Sequence, residues 1–326
     1  MPTVPVPSSL LRVRADDPEY RRVAAAEAAY WQNVLPGSLE DVEKHYRVGR
    51  NERYMNMRFT GEPRTHWTES IARWGTFRHG LVLGTSSLRY EARILVTNPG
   101  LHLVFVDLSV GAVARRADVL GKRFPGRVST ATADLNFLEI PAATYDLVVS
   151  SSTVHHVTNL EHLAFQVNRG LTAGGHFFLE DYVGEPRFLF SDAKKRLFDV
   201  VYHRDLAAQR GRKPGLVWLD ASDLSPFCGV RSDEILDVFR VYLEEVQVRT
   251  AGTLSNAVMR SRPADYPFPV SPWKIRLARW RKRLGLQRAD LLGKRFLDEL
   301  FLVGDVASEA GIVRPSVAFA VYRKRG

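Results

Sequence analysis

Cysteine is almost missing from this chain: Cys228 is the only one in 326 residues. A single thiol excludes an internal disulfide and a zinc cluster built from several thiolates; Cys228 is expected to be a passive core or loop residue. Long apolar runs are missing too. None approaches the ~20 residues that cross a bilayer, and no basic stretch followed by an apolar one opens the sequence, so a cytoplasmic protein is expected. Internal repeats are absent. Acidic residues are in deficit, 36 against 46 Lys and Arg, for a formal net charge of +10. Such an excess suits an anionic partner only where the charges cluster, and no nucleic-acid-binding module is recognisable. With 45% hydrophobic and 25% charged residues, the composition is that of an ordinary globular protein.

What is present is concentrated between Leu81 and Asp181. Five apolar runs recur there: Leu81 to Leu83 running into Gly84-Thr85-Ser86-Ser87-Leu88, Leu101 to Val106 ending in Asp107, a segment carrying Asp134-Leu135-Asn136, Tyr145 to Ser151, and His176 to Leu179 ending in Glu180-Asp181. Helical stretches separate them, notably Val110 to Phe124 and Asn159 to Leu171. Buried parallel strands read as continuous apolar runs, and alternation with helices predicts a doubly wound α/β sheet. In such sheets ligands bind beyond the carboxyl ends of the strands. Here those ends carry polar residues.

The order and spacing of these segments resemble the core of class I, Rossmann-like S-adenosylmethionine-dependent methyltransferases. The resemblance implies a mostly parallel seven-stranded sheet with a C-terminal antiparallel strand. It also implies a cofactor site at Gly84, Thr85, Ser86, Leu88, Asp107, Leu108, Asp134, Leu135, Asn136, Ser150 and Ser151, with Asp107 gripping the ribose hydroxyls. One departure is plain: the family's G-x-G-x-G becomes Gly84-Thr85-Ser86-Ser87-Leu88, keeping only the first glycine. Glu180-Asp181-Tyr182-Val183-Gly184, with His155-His156, is similar to methyltransferases encoded with glycan-assembly enzymes, which implies a sugar hydroxyl or saccharide precursor as acceptor.

The flanks predict a helical lid over residues 1–75 and a Rossmann-like domain over 76–326, with inserts at 184–230 and 252–290. Helices are expected at Asp17 to Val34, with Glu27 interrupting its apolar face, from Leu39 through a run that includes Tyr46, Arg50, Arg53, Tyr54 and Arg58, and at Trp67 to Trp74. Tyr54 and Arg58 are candidates to hold the cofactor's carboxylate, since an arginine fork suits it. Pro214 to Trp218 reads as loop, and Ser232 as the cap of a helix through Phe239. Strands at Tyr242 to Val248 and Ser316 to Tyr322 bracket a helix at Leu291 to Glu309. Residues 272–295 interleave Trp273, Trp280 and Leu284 with Lys274, Arg279, Arg281 and Lys282. This amphipathic pattern fits an anionic membrane surface, packing on the sheet, or a second subunit of a homo-oligomer.

Methyl transfer to a hydroxyl needs an aligned nucleophile and a base. His155 and His156 follow the fourth strand and are the candidate bases, with His156 ahead; Glu180 and Asp181 would orient a histidine or bind the acceptor. No metal-ligand spacing is visible, although carboxylates beside an imidazole leave magnesium as an option. Two other functions compete. A nicotinamide oxidoreductase shares the sheet but needs a G-x-G-x-x-G that this chain lacks. A catalytically silent methyltransferase fold serving as a scaffold through its basic segment would account for the altered glycine loop.

Overall fold

The apolar runs become adjacent strands in the computed structural model, which describes residues 11–34, 50–204, 216–218, 224–263 and 294–326. Strands β1 His79–Leu83, β2 His102–Asp107, β3 Val128–Thr132, β4 Tyr145–Ser151, β5 Leu171–Tyr182, β6 Leu216–Trp218, β7 Leu243–Ala251, β8 Ser261–Pro263 and β9 Val317–Lys324 follow in chain order. One seven-stranded sheet has the order β3-β2-β1-β4-β5-β9-β7. Strands β1 to β5 pair in parallel, and β9 runs antiparallel to both its neighbours, β5 and β7. The fold is thus the mostly parallel α/β sheet with one antiparallel strand that the sequence predicts.

The period of two along each strand divides the core between the faces of the sheet. Leu81, Leu83, Val148, Phe177, Leu179, Ala320 and Tyr322 pack into one layer with Leu160, Leu163, Val167 and Phe239. Their alternates Val82, Leu147, Val149, Phe178, Phe319 and Val321 pack into the other with Trp67, Ile71, Ala92, Ile94 and Leu95. Both layers are fully closed to water at their centres. This is why the central runs carry no alternating polar residues.

Helices α1 Pro18–Val34, α2 Arg50–Thr60, α3 Trp67–Ser70, α4 Leu88–Thr97, α5 Val110–Arg123, α6 Leu160–Gly170, α7 Asp192–Tyr202, α8 Ile235–Tyr242 and α9 Lys294–Glu309, with short 3-10 turns between elements, accompany the strands. Ser109 caps α5 by accepting from the Ala112 amide at 3.3 Å, and Ser191 caps α7 by accepting from the Lys194 amide at 3.3 Å. Two expectations are corrected. Residues 216–218 are not loop but β6, paired antiparallel with β8. Ser232 does not cap a helix: its hydroxyl donates to the Gly184 carbonyl at 3.0 Å, and a short 3-10 turn precedes α8. Most of the basic stretch 272–295, and residues 39–49 of the helical stretch expected from Leu39, lie outside the described residues, while the part of that stretch carrying Arg50, Arg53, Tyr54 and Arg58 forms α2.

Candidate functional site

The strand order reverses between β1 and β4, and an open α/β sheet binds ligands outside the carboxyl ends of its strands at such a point. A cavity of about 330 Å³ lies there. Four loops line it: Gly84 to Ser87 after β1, Asp107 to Ser109 after β2, Asp134 to Asn136 after β3, and Ser151 to Thr153 with His156 after β4. Tyr90 of α4, Phe227, and Glu27, Ala28 and Trp31 of α1 complete the wall.

On the glycine-loop flank, Gly84 sits at φ +73°, and a Cβ there would stand 2.1 Å from the Thr153 side chain. Only glycine suits both the left-handed backbone and that approach. Asp107 Oδ2 accepts from the Thr85 amide at 2.8 Å and the Thr85 hydroxyl at 2.6 Å, while Oδ1 accepts from the Ser109 amide at 2.7 Å. A carboxylate has about four acceptor positions, so Asp107 keeps capacity for a ligand while its orientation is fixed. Below the loop, the Ser86 amide donates to Glu91 Oε1 at 3.2 Å, and Arg116 grips Glu91 at 3.0 Å. Glu91 is 2% exposed and Arg116 1%. This ion pair holds the loop from beneath.

Next to it, helix α1 docks through Tyr20, whose hydroxyl donates to Asp134 Oδ2 at 2.5 Å and accepts from Asn136 Nδ2 at 2.9 Å. Tyr20 also meets Phe137 edge-on at 5.2 Å between centroids and stacks on Phe227 at 5.6 Å. Asn136 Oδ1 in turn accepts from the Thr158 and Asn159 amides.

On the histidine flank, the buried Asp181 accepts from His155 Nδ1 at 2.5 Å and from the Thr153, Val154 and Tyr182 amides. These contacts occupy both carboxylate oxygens, which leaves Asp181 poorly suited to a magnesium ion. Burial works against charge on His155, but Asp181, with Cys228 beside it, outweighs this and raises its pKa to about 10. His156 Nδ1 lies 2.8 Å from Glu27 Oε1. Glu27 also accepts from Trp31 Nε1 at 2.6 Å, the Ser225 hydroxyl at 2.9 Å and the Phe227 amide at 2.9 Å. Burial would raise the Glu27 carboxyl; the His156 and backbone bonds overcome it and hold the pKa at about 2.

Cys228 reaches this flank because Arg187, itself at φ 56°, donates to the carbonyls of Ser225, Pro226 and Cys228, while the Gly229 amide donates to the His155 carbonyl. Burial would raise the thiol, yet bonds from both imidazoles bring its pKa to about 6. Expected as a passive core or loop residue, Cys228 instead has its sulfur within 4.8 Å of a ring nitrogen of each histidine. Nearby, burial lifts the Glu180 carboxyl to about 7 against the hydrogen bonds of Ser151 and Ser152. Ser152 is held at φ 51°, a strained position for a residue with a side chain, on the loop that lines the cavity.

Of the residues expected to hold cofactor, Gly84, Thr85, Ser86, Asp107, Leu108, Asp134, Leu135, Asn136 and Ser151 line the cavity. Four others are placed elsewhere. Leu88 is buried in the core beneath α4. Ser150 turns its hydroxyl to the Leu83 carbonyl at 3.0 Å, tying β4 to β1. Tyr54 stacks on Phe301 at 4.0 Å and donates to Asp305, and Arg58 bonds the Thr250 carbonyl and Glu309. These contacts put Tyr54 and Arg58 on the packing of α2 against α9 and β7. His156 lines the cavity; His155, Glu180 and Asp181 stand behind it. Held near pKa 10, His155 keeps its proton and is poorly placed to act as a base. Sequence reasoning missed Glu27, Trp31, Tyr90, Ser152 and Phe227. Glu27 left a signal, a carboxylate on the apolar face of a helix; Phe227 left none.

Residues 81–177, from β1 into β5, match a family model described as a methyltransferase domain. Among solved structures, geranyl diphosphate C-methyltransferase from Streptomyces coelicolor A3(2), in complex with Mg2+, geranyl diphosphate and S-adenosyl-L-homocysteine, is similar at 13% identity. The similarity covers 96% of this chain and 100% of that one, with a TM-score of 0.51. Phosphoethanolamine N-methyltransferase 2 from Haemonchus contortus, in complex with S-adenosyl-L-methionine, is similar at 16% identity over 89% of this chain and 61% of that one, with a TM-score of 0.45. No curated protein matches by sequence. At 13% identity the likeness to the Streptomyces enzyme shows the fold alone.

Proposed function

We propose that this chain is an S-adenosylmethionine-dependent methyltransferase whose small-molecule acceptor offers a hydroxyl, as in a sugar or saccharide precursor. One observation carries the reading: a cavity at the strand reversal, lined by Gly84, by Asp107 and by His156, inside a segment that matches a methyltransferase domain. The residues fit the cofactor. Asp107 ends β2 with an acceptor position to spare for a ribose diol, and Leu108 and Leu135 offer apolar wall. Leu88, where the family's pattern has glycine, is turned into the core and takes no space from the cavity. That placement weakens the case for a silent scaffold. When bound, S-adenosylmethionine supplies an electrophilic methyl group.

The chain's own contribution is orientation and proton acceptance. A carboxylate can only accept, so the Glu27 contact puts a proton on His156 Nδ1, and in the neutral ring Nε2 is then the atom that can accept one. A histidine so oriented is placed to take the proton of an acceptor hydroxyl. Calorimetric titration with S-adenosylmethionine and S-adenosylhomocysteine tests the reading. Micromolar binding is expected, weakened at least tenfold by Asp107→Ala and unchanged by His156→Gln, which lowers turnover by about 10²–10⁴. No binding of either ligand to the folded wild type would sink it.

A further inference from the structure

Three donor groups converge behind the cavity in a way that methyl transfer does not require. One ligand atom from each of His155, His156 and Cys228 lies within 4.8 Å of the other two. The two imidazole rings are 4.1 Å apart between centroids. Each ring has its Nδ1 against a buried carboxylate: His155 on Asp181 at 2.5 Å, His156 on Glu27 at 2.8 Å. Those bonds leave Nε2 of each ring as the second nitrogen, the one a metal can take once any proton on it is lost. A carboxylate behind Nδ1 is the outer-shell support of metal-bound histidines, fixing both tautomer and ring orientation.

We propose that His155, His156 and Cys228 form a three-donor site for a zinc-class divalent cation, with its fourth position open beside the cavity that His156 lines. Two imidazoles and one thiolate suit a borderline-soft ion; magnesium, which takes oxygen ligands, does not match them. Tetrahedral zinc sets such donors about 3.3–3.8 Å apart, so from separations within 4.8 Å the side chains close by up to about 1.5 Å. Binding displaces the protons at the nitrogens and at sulfur to solvent. Arg187, bonded to three carbonyls of residues 225–228, holds Cys228 in reach. The inference stands apart from the methyl-transfer reading. A bound ion occupies the His156 lone pair that would accept a proton, and loading therefore lowers methyl transfer.

Cobalt(II) titration of the full chain tests the site without any methyl acceptor. Because Cys228 is the only cysteine, a thiolate-to-cobalt charge-transfer band in the near ultraviolet reports it alone. One equivalent should saturate the band, and zinc should displace it. Cys228→Ser should abolish the band and weaken zinc binding at least tenfold, and Glu27→Gln should weaken it about 10–100-fold. A folded wild type without the band, or an equal zinc affinity in wild type and Cys228→Ser, would overturn the proposal. Cofactor titration of the metal-free chain decides the methyl-transfer reading separately.

Discussion

The two flanks of the cavity are held by different means. On the glycine-loop side the cavity is bounded by Gly84, Thr85, Ser86 and the Asp107 carboxylate, and the side chains that fix the loop lie underneath, in the buried Arg116 and Glu91 pair. On the histidine side the functional groups are side chains themselves, each aimed by a buried carboxylate: Asp181 behind His155 and Glu27 behind His156. The first flank depends on hidden support and tolerates changed loop residues. The second depends on the groups on view. This difference explains how a loop that has lost two of its expected glycines still frames a cavity.

The sharpest way to break the comparison is to remove the hidden support. Arg116→Ala leaves the Glu91 carboxylate buried without its cation, which typically costs about 3–5 kcal/mol. Urea denaturation followed by tryptophan fluorescence should show that loss, together with weakened cofactor binding through the Ser86 amide. A loss under ~1 kcal/mol would mean the loop stands without this pair. A smaller effect comes from restoring the missing glycine. Leu88→Gly deletes a core side chain at the start of α4, with an expected cost of about 2–4 kcal/mol and no gain in affinity for S-adenosylmethionine. Tighter binding in that variant would show that Leu88 does intrude on the site.

Much of the sheet was legible because parallel strands covered on both faces leave unbroken apolar runs, and Asp107, Asp134 and His156 followed from where those runs end. The departures have physical causes. Two amphipathic helices, α1 and α2, precede β1, and nothing in their periodicity says which one covers the cavity. Tyr54 and Arg58 were assigned to it, yet they pack against α9 and β7. Glu27 was visible as a break in an apolar face, a carboxylate whose burial makes sense only with His156, Trp31 and the Phe227 amide opposite. The approach of Cys228 to the histidines was not legible. It depends on a loop about 70 residues further along the chain, bent around Arg187 at a positive φ, and no local pattern encodes that turn.

The finest contrast lies within the histidine flank, between two neighbouring carboxylates at the end of β5. Asp181 meets one imidazole and three backbone amides; among the described residues the Glu180 carboxyl meets the hydroxyls of Ser151 and Ser152. Burial therefore lifts Glu180 from 4.5 to about 7. A carboxyl raised on folding contributes stability that is complete below its unfolded pKa and is lost as pH rises through the folded one. For Glu180 the loss runs from about pH 4.5 to about pH 7. Glu180→Gln keeps the shape and removes the charge, so the variant should match wild type near pH 4.5 and exceed it by about 3 kcal/mol at pH 8. Denaturation midpoints at the two pH values decide it. An equal difference at both would mean that Glu180 titrates as an ordinary carboxylate, and that its two serines, like the amides around Asp181, suffice to hold its charge.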